Sequence, residues 1–161
     1  MTKTPILTNS LIAITLLLTL GVAEKTFAAD TKKEETPKEA IELQDEYVLV
    51  MYFHRTNRCQ NCQKMNRYVH EVADEKFAKE KKAGQLTVKD IDLQAKENAE
   101  ITKAFGASSP TLVVARVKGD KIVEANKLTQ IWKKHADQEA FYTYVEENIK
   151  PALKKLGTDK K

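Results

Sequence analysis

Cys59 and Cys62 are the only cysteines in the chain, separated by Gln60 and Asn61. They follow an apolar run, residues 47–53, and open a stretch of helical periodicity. A pair so placed reads as a redox dithiol, because a helix start offers unpaired N–H groups and a positive dipole end that favour a thiolate. A disulfide between them closes a very short loop and removes little entropy from the unfolded chain, so a purely structural staple explains the pair poorly. A structural zinc site needs about four ligands, and only His54 and His70 stand near in sequence. Three further residues precede the pair. Arg55 and Arg58 add positive charge, and His54 reads as a histidine of the polar connection; all three are candidates for tuning a thiolate.

The elements that must position this pair can be read from periodicity. Residues 47–53 are continuously apolar, the pattern of a strand covered on both faces. From 59 to about 82, Met65, Tyr68, Val69, Val72 and Phe77 recur at helical spacing, with Gly84 as the stop. Residues 86–92 alternate as a second strand, and 95–105 form a short helix with Ile101, Ala104 and Phe105 inward. Residues 111–117 and 121–125 make a hairpin around Lys118, Gly119 and Asp120. Leu128, Ile131 and Trp132 mark a helical turn, with Trp132 as a packing anchor. The last helix spans 138–156, with Phe141, Tyr144, Val145 and Ile149 on one face and Pro151 expected to kink it or split off its end. The order β-α-β-α-β-β-α implies an α/β fold, a four-stranded mixed sheet flanked by helices. Ligands meet such sheets at strand C-termini, and Cys59 follows one.

The first 28 residues carry a different message. Lys3 precedes an apolar stretch, 11–23, too short to span a bilayer comfortably, and Thr26-Phe27-Ala28 precedes Ala29 as a small-x-small site. This is the pattern of a secretory signal peptide cleaved near Ala28, so a periplasmic or otherwise exported protein is expected. A flexible charged leader (29–43), with a short helical lead-in near 41–43, then precedes the domain (44–156) and a polar tail (157–161). Of the formal charge of +4, the first 28 residues hold Lys3, Lys25 and Glu24, leaving +3. That mild excess is spread over mixed Lys/Glu helices and does not support nucleic-acid binding, against which export argues further, so no nucleic-acid partner is expected. The 161 residues, 42% hydrophobic and 31% charged, suit one domain.

The strand, the Cys-x-x-Cys helix start, and Phe105-Gly106-Ala107-Ser108-Ser109-Pro110-Thr111 ahead of the hairpin together resemble the thioredoxin-like superfamily over about residues 44–153. The segments Tyr52-Phe53-His54-Arg55, Arg58-Cys59-x-x-Cys62, Leu128-x-x-Ile131-Trp132 and Phe141-x-x-Tyr144-Val145 resemble, more narrowly, an exported thioredoxin-like family labelled nitrophenyl compound nitroreductase subunit. The resemblance implies Cys59 as the attacking thiolate, Cys62 as the resolving thiol, a cis Pro110 beside the dithiol, and a peptide groove at Ser109 and Pro110. It also implies a disulfide reductase that needs no cofactor beyond its own redox-active disulfide. Its partners would be protein disulfides and dithiols, with electrons from a membrane donor, and the fold needs no second chain, so a monomer is expected. An oxidase or isomerase with the same residues, or an accessory or metal-handling subunit using the surface near Trp132 or Cys59, Cys62 and His54, are the alternatives. The chain departs from ordinary thioredoxins in three places: Arg58 replaces the usual Trp, Gln60-Asn61 replaces Gly-Pro, and the family's buried acid of the first strand has no match, Met51 being nearest. A lone dithiol reduces no nitro group without a flavin or metal partner, and no flavin motif is present.

Overall fold

Side chains of a strand alternate between its two faces, so an unbroken apolar run demands cover on both. The computed structural model describes residues 42–158 and meets that demand at β1 (Glu46–His54). Val48, Val50 and Tyr52 enter one core with α1 (Gln60–Lys76) and α5 (Gln138–Lys154). Met51 and Phe53 enter a second core with Ile91, Val113 and Ala115, closed by the partly buried Ile101 and Phe105. β1 pairs in parallel with β2 (Leu86–Asp92) and antiparallel with β3 (Thr111–Lys118), which pairs antiparallel with β4 (Lys121–Leu128). The sheet order is β2-β1-β3-β4. The parallel β1–β2 pair requires a crossover, supplied by α1 and the short α2 (Ala78–Lys82). A 3₁₀ turn (Lys96–Asn98) and α3 (Ala99–Ala104) lead to β3, and α4 (Ile131–Lys134) joins β4 to α5. The signal-peptide reading, nearly all of the leader and the end of the tail lie outside the described residues. Among those described, no helix is long and apolar enough to cross a membrane.

Five expectations change. The helix expected over 59–82 breaks at Phe77, which leaves helical geometry (φ −129°, ψ 28°) with its ring buried. The 17 residues of α1 already run about 25 Å, roughly the ~23 Å length of the seven-residue β2. A continuous helix would overshoot the start of β2. Ala104 is exposed, since α3 is short and touches the core only through Ile101 and Phe105, whose ring meets Phe53 at 5.8 Å. β4 runs on to Leu128, which is buried in the main core rather than in a helical turn. Pro151 does not split α5, which continues to Lys154. It removes one N–H within the last turns, and Ala152, Leu153 and Leu156 still pack on the core. Of the lead-in expected at 41–43, Glu42 and Leu43 are not helical.

Phe141, Val145 and Ile149 are fully buried, each contributing about 1.5–3 kcal/mol, and Tyr68 of α1 meets the Phe141 ring at 5.6 Å. Asp137 caps α5 by accepting the Ala140 N–H at 3.0 Å. β4 is an exposed edge, with Ile122 and Val123 open to solvent and lysines at 121 and 127 that oppose pairing with another chain.

One charged strut ties the start of β1 to the far end of the domain. Glu46 accepts from Arg116 Nη1 at 2.6 Å and from the Gly157 N–H at 3.0 Å. The Gly157 bond, with Arg116 and Lys118 nearby, outweighs desolvation and holds the Glu46 carboxyl below its usual range. A depressed carboxyl stabilises the fold above the unfolded-state value of about 4.3 and loses that contribution as pH falls through the folded value. The urea midpoint should therefore drop between pH 6 and pH 3, and Glu46→Gln should flatten that drop. Equal acid sensitivity in both proteins would remove the strut from the account.

Candidate active site

The helix that follows β1 opens on a sulfur. Cys59 is the N-cap of α1 in extended geometry, its Sγ accepting the Cys62 N–H at 3.2 Å while its carbonyl takes the Gln63 N–H at 2.9 Å. The first turn of α1 holds no acidic residue, so no carboxylate offsets the positive dipole end. Cys59 and Cys62 form a disulfide with Cα atoms 5.0 Å apart. Cys59 is exposed, whereas Cys62 is only 7% accessible.

Beneath the pair lies Tyr52, whose buried hydroxyl donates to the Cys62 carbonyl at 2.9 Å. Burial is the main reason its phenol is pushed up to about 12, against the opposing charge of Arg58. Met51, read from sequence as nearest to the missing acid, faces the opposite core. Parity along β1 decides this: α1 packs on the face of Val48, Val50 and Tyr52. The run from 47 to 53 is apolar throughout, so the sequence does not tell which of its two faces receives the helix.

His54 is no loop histidine. It ends β1 at 6% accessibility, its ring stacked near Tyr52. Nδ1 lies 3.0 Å from the Arg55 carbonyl and Nε2 lies 2.6 Å from Arg58 Nη2. A carbonyl only accepts and a guanidinium only donates, so in this arrangement Nδ1 donates to the carbonyl and Nε2 accepts from Arg58.

The two arginines part company. Arg58 turns inward, also donating through Nη1 to Asn66 Oδ1 at 2.9 Å. Arg55 is exposed and lines an open groove of about 490 Å³ with Asn57, Leu93, Gln94, Ala107 and Ser108. The connection between them is pinned to the end of β2, where Thr56 donates to Asp92 at 2.8 Å and to Gln94 at 3.1 Å. The Gln94 N–H, then Thr56, hold the Asp92 carboxyl below its usual range.

Sequence reading missed Asn66 and Asp90. Asn66 Nδ2 donates to Asp90 Oδ1 at 2.7 Å, and His70 Nε2 lies 3.1 Å from the same oxygen. Burial acts to raise the Asp90 carboxyl, yet the His70 and Asn66 bonds and the charges of His70 and Arg58 hold it below its usual range. Asn66 and His70 stand four residues apart on α1, a spacing that places both on one helix face; that was the available signal.

Register brings the remaining candidates to the same sheet edge. Phe53 opposes Thr111, and Leu112 opposes Leu128, so the start of β3 and the end of β4 meet the end of β1. Ser109 is exposed and Pro110 buried. The Ser109–Pro110 bond is not cis, as the resemblance implied, but trans, the lower-energy isomer of an X–Pro bond. The Ser109 carbonyl takes the Thr111 hydroxyl at 2.8 Å, and the Pro110 carbonyl takes the Trp132 indole N–H at 3.0 Å. Ile131 is the buried anchor of this turn; Trp132 is 40% exposed. Among the described residues, no group of three or more His, Cys, Asp or Glu side chains could hold a metal ion.

A mixed sheet of order β2-β1-β3-β4, with a Cys-x-x-Cys disulfide opening the helix after its central strand, defines a thioredoxin-like fold suited to thiol–disulfide exchange. No family model matches the chain, and no curated protein matches it. Among solved structures it is similar to the germline-specific thioredoxin Deadhead of Drosophila melanogaster, at 20% identity over 63% of this chain and 80% of that one, TM-score 0.40. Mitochondrial thioredoxin 3 of Saccharomyces cerevisiae, oxidised form, is similar at 19% identity over 69% and 82%, TM-score 0.40. Chloroplastic thioredoxin z is similar at 24% identity over 58% and 80%, TM-score 0.34.

Proposed function

We propose that this protein is an exported thiol–disulfide oxidoreductase that reduces protein disulfides through Cys59 and Cys62. The observation that carries this reading is the unequal exposure of the two sulfurs: an open Cys59 at a helix N-cap, and a buried Cys62 one turn behind it. The Cys59 thiolate attacks one sulfur of a target disulfide, forming a mixed disulfide and releasing the other target sulfur as a thiolate. Cys62 loses its proton and attacks the Cys59 sulfur. The second target thiol leaves, two electrons have passed to the target, and the pair ends as a disulfide. A dithiol donor outside the cytoplasm, membrane-held in this reading, restores it. Ser109 and Pro110 border the peptide groove, and in this reading the Ser109 backbone pairs with a target strand. The cation of Arg58 supports the thiolate; Arg55 faces the neighbouring groove. Export rests on the pattern of residues 1–28. The nitroreductase-subunit resemblance fits this reading only as a dithiol partner of a flavin or metal protein.

The test is the equilibrium potential of the pair in defined thiol buffers. A value near or below about −270 mV marks a reductant, and one near −120 to −180 mV an oxidase or isomerase. Absence of two-electron exchange would end the redox reading.

A further inference from the structure

Five side chains, from β1, the connection after it, α1 and β2, form one chain of hydrogen bonds beside the dithiol. His54 at the end of β1 and Asn66 on α1 each hold one arm of the Arg58 guanidinium, at 2.6 and 2.9 Å. An amide has one accepting and one donating end. The donating end of Asn66 is committed to Asp90 on β2 at 2.7 Å, which leaves its oxygen for Arg58. His70, one turn along α1, holds the same Asp90 oxygen from the other side. The guanidinium therefore has a fixed location, within electrostatic reach of the Tyr52 phenol, itself 2.9 Å from the Cys62 carbonyl.

A held cation differs from a mobile one. An exposed arginine spreads its charge over many rotamers and is screened by salt, whereas a guanidinium fixed at both arms acts from one position in a partly buried site. A cation there favours thiolate over thiol and so stabilises the reduced pair, which raises its potential. We infer that Asn66 and Asp90 are positioning residues that clamp Arg58 beside the dithiol, and that this clamp makes the pair a weaker reductant than the same pair without it. The inference rests on the dithiol reading above and adds the groups that set its potential.

The sign of the effect separates this from a simple charge effect. Removing the Asp90 carboxylate takes away a negative charge, which on its own favours the thiolate and raises the potential. Loss of the clamp lowers it. In the full-length chain equilibrated with glutathione, Arg58→Met should shift the equilibrium about fivefold to tenfold toward the protein disulfide, where tenfold corresponds to ~30 mV. Asn66→Ala and Asp90→Ala should each shift it the same way by about threefold, and Asn66→Ala added to Arg58→Met should change it by less than about twofold. An unchanged or higher potential in both single variants, or an Asn66→Ala effect that persists without Arg58, overturns the clamp. Asp90 is partly exposed and distant in sequence from α1, so Asp90→Ala carries the test if Asn66→Ala fails to fold by circular dichroism. Alkylation of Cys59 against pH in the reduced proteins gives a second readout that needs no exchange partner: both variants should raise the Cys59 pKa. If the parent pair fails to exchange with glutathione, the redox reading falls, while the alkylation profile still decides the clamp.

Discussion

Cys59→Ser is expected to abolish disulfide reduction, a loss of at least about 10³-fold in an insulin-reduction assay, because a hydroxyl at neutral pH cannot replace the thiolate. Cys62→Ser should behave differently. Its Cys59 still sits exposed at the N-cap of α1, so attack proceeds and the mixed disulfide accumulates for want of a resolving thiol. Mass spectrometry of the Cys62→Ser protein after exposure to a disulfide substrate should find a covalent adduct at Cys59, and Cys59→Ser should yield none. The asymmetry follows from burial: Cys62 is screened by the first turn of α1, with its carbonyl fixed by Tyr52. Adducts on Cys62 in place of Cys59 would exchange the two roles.

The largest effect on stability is expected at Gly84. Its φ of +70° costs a side-chain-bearing residue about 1–2 kcal/mol. A Cβ there would lie 2.3 Å from the Glu42 carbonyl oxygen and 3.3 Å from the Gln44 N, both backbone atoms with no rotamer to escape into. The chain at 42–44 would have to lift away, straining the Gln44 N–H bond to the Gly84 carbonyl at 3.1 Å and the Gln44 side-chain bond to Ala83 at 3.0 Å. Each such bond contributes about 1 kcal/mol. Gly84→Ala should therefore lose about 2–4 kcal/mol in urea denaturation, a large share of the ~5–15 kcal/mol of an ordinary domain. Gly106 supplies the control: its φ is +53°, but a Cβ meets nothing within 4 Å, so Gly106→Ala should lose only the conformational part. Equal losses at the two sites would refute the close-approach argument.

Much of the architecture was legible because its signals are local. The apolar run of β1, the helical spacing from Met65 to Val72, and the alternation of β2 each report burial within one element. What sequence could not give was relative placement. Phe77 fits the helical stripe that contains Val69 and Ala73, so periodicity carried the helix through the point where the length of β2 forces a break. Arg55 and Arg58 look alike in sequence, yet only Arg58 meets His54 and Asn66, because only it lies beside the face where α1 packs. Asp90 looks like the polar half of an alternating strand. Its tie to α1 depends on β1 and β2 pairing in register, Tyr52 opposite Asp90, and no local pattern encodes a register.

Trp132 has a practical consequence. It is the chain's only tryptophan, and its indole is half in solvent and half committed to the carbonyl of Pro110. All tryptophan emission of the molecule therefore originates from a ring bonded to the loop that leads into β3. Any event that loosens or dries that loop shifts the colour and yield of the emitted light, so the molecule carries its own optical reporter at the sheet edge where Cys59 sits.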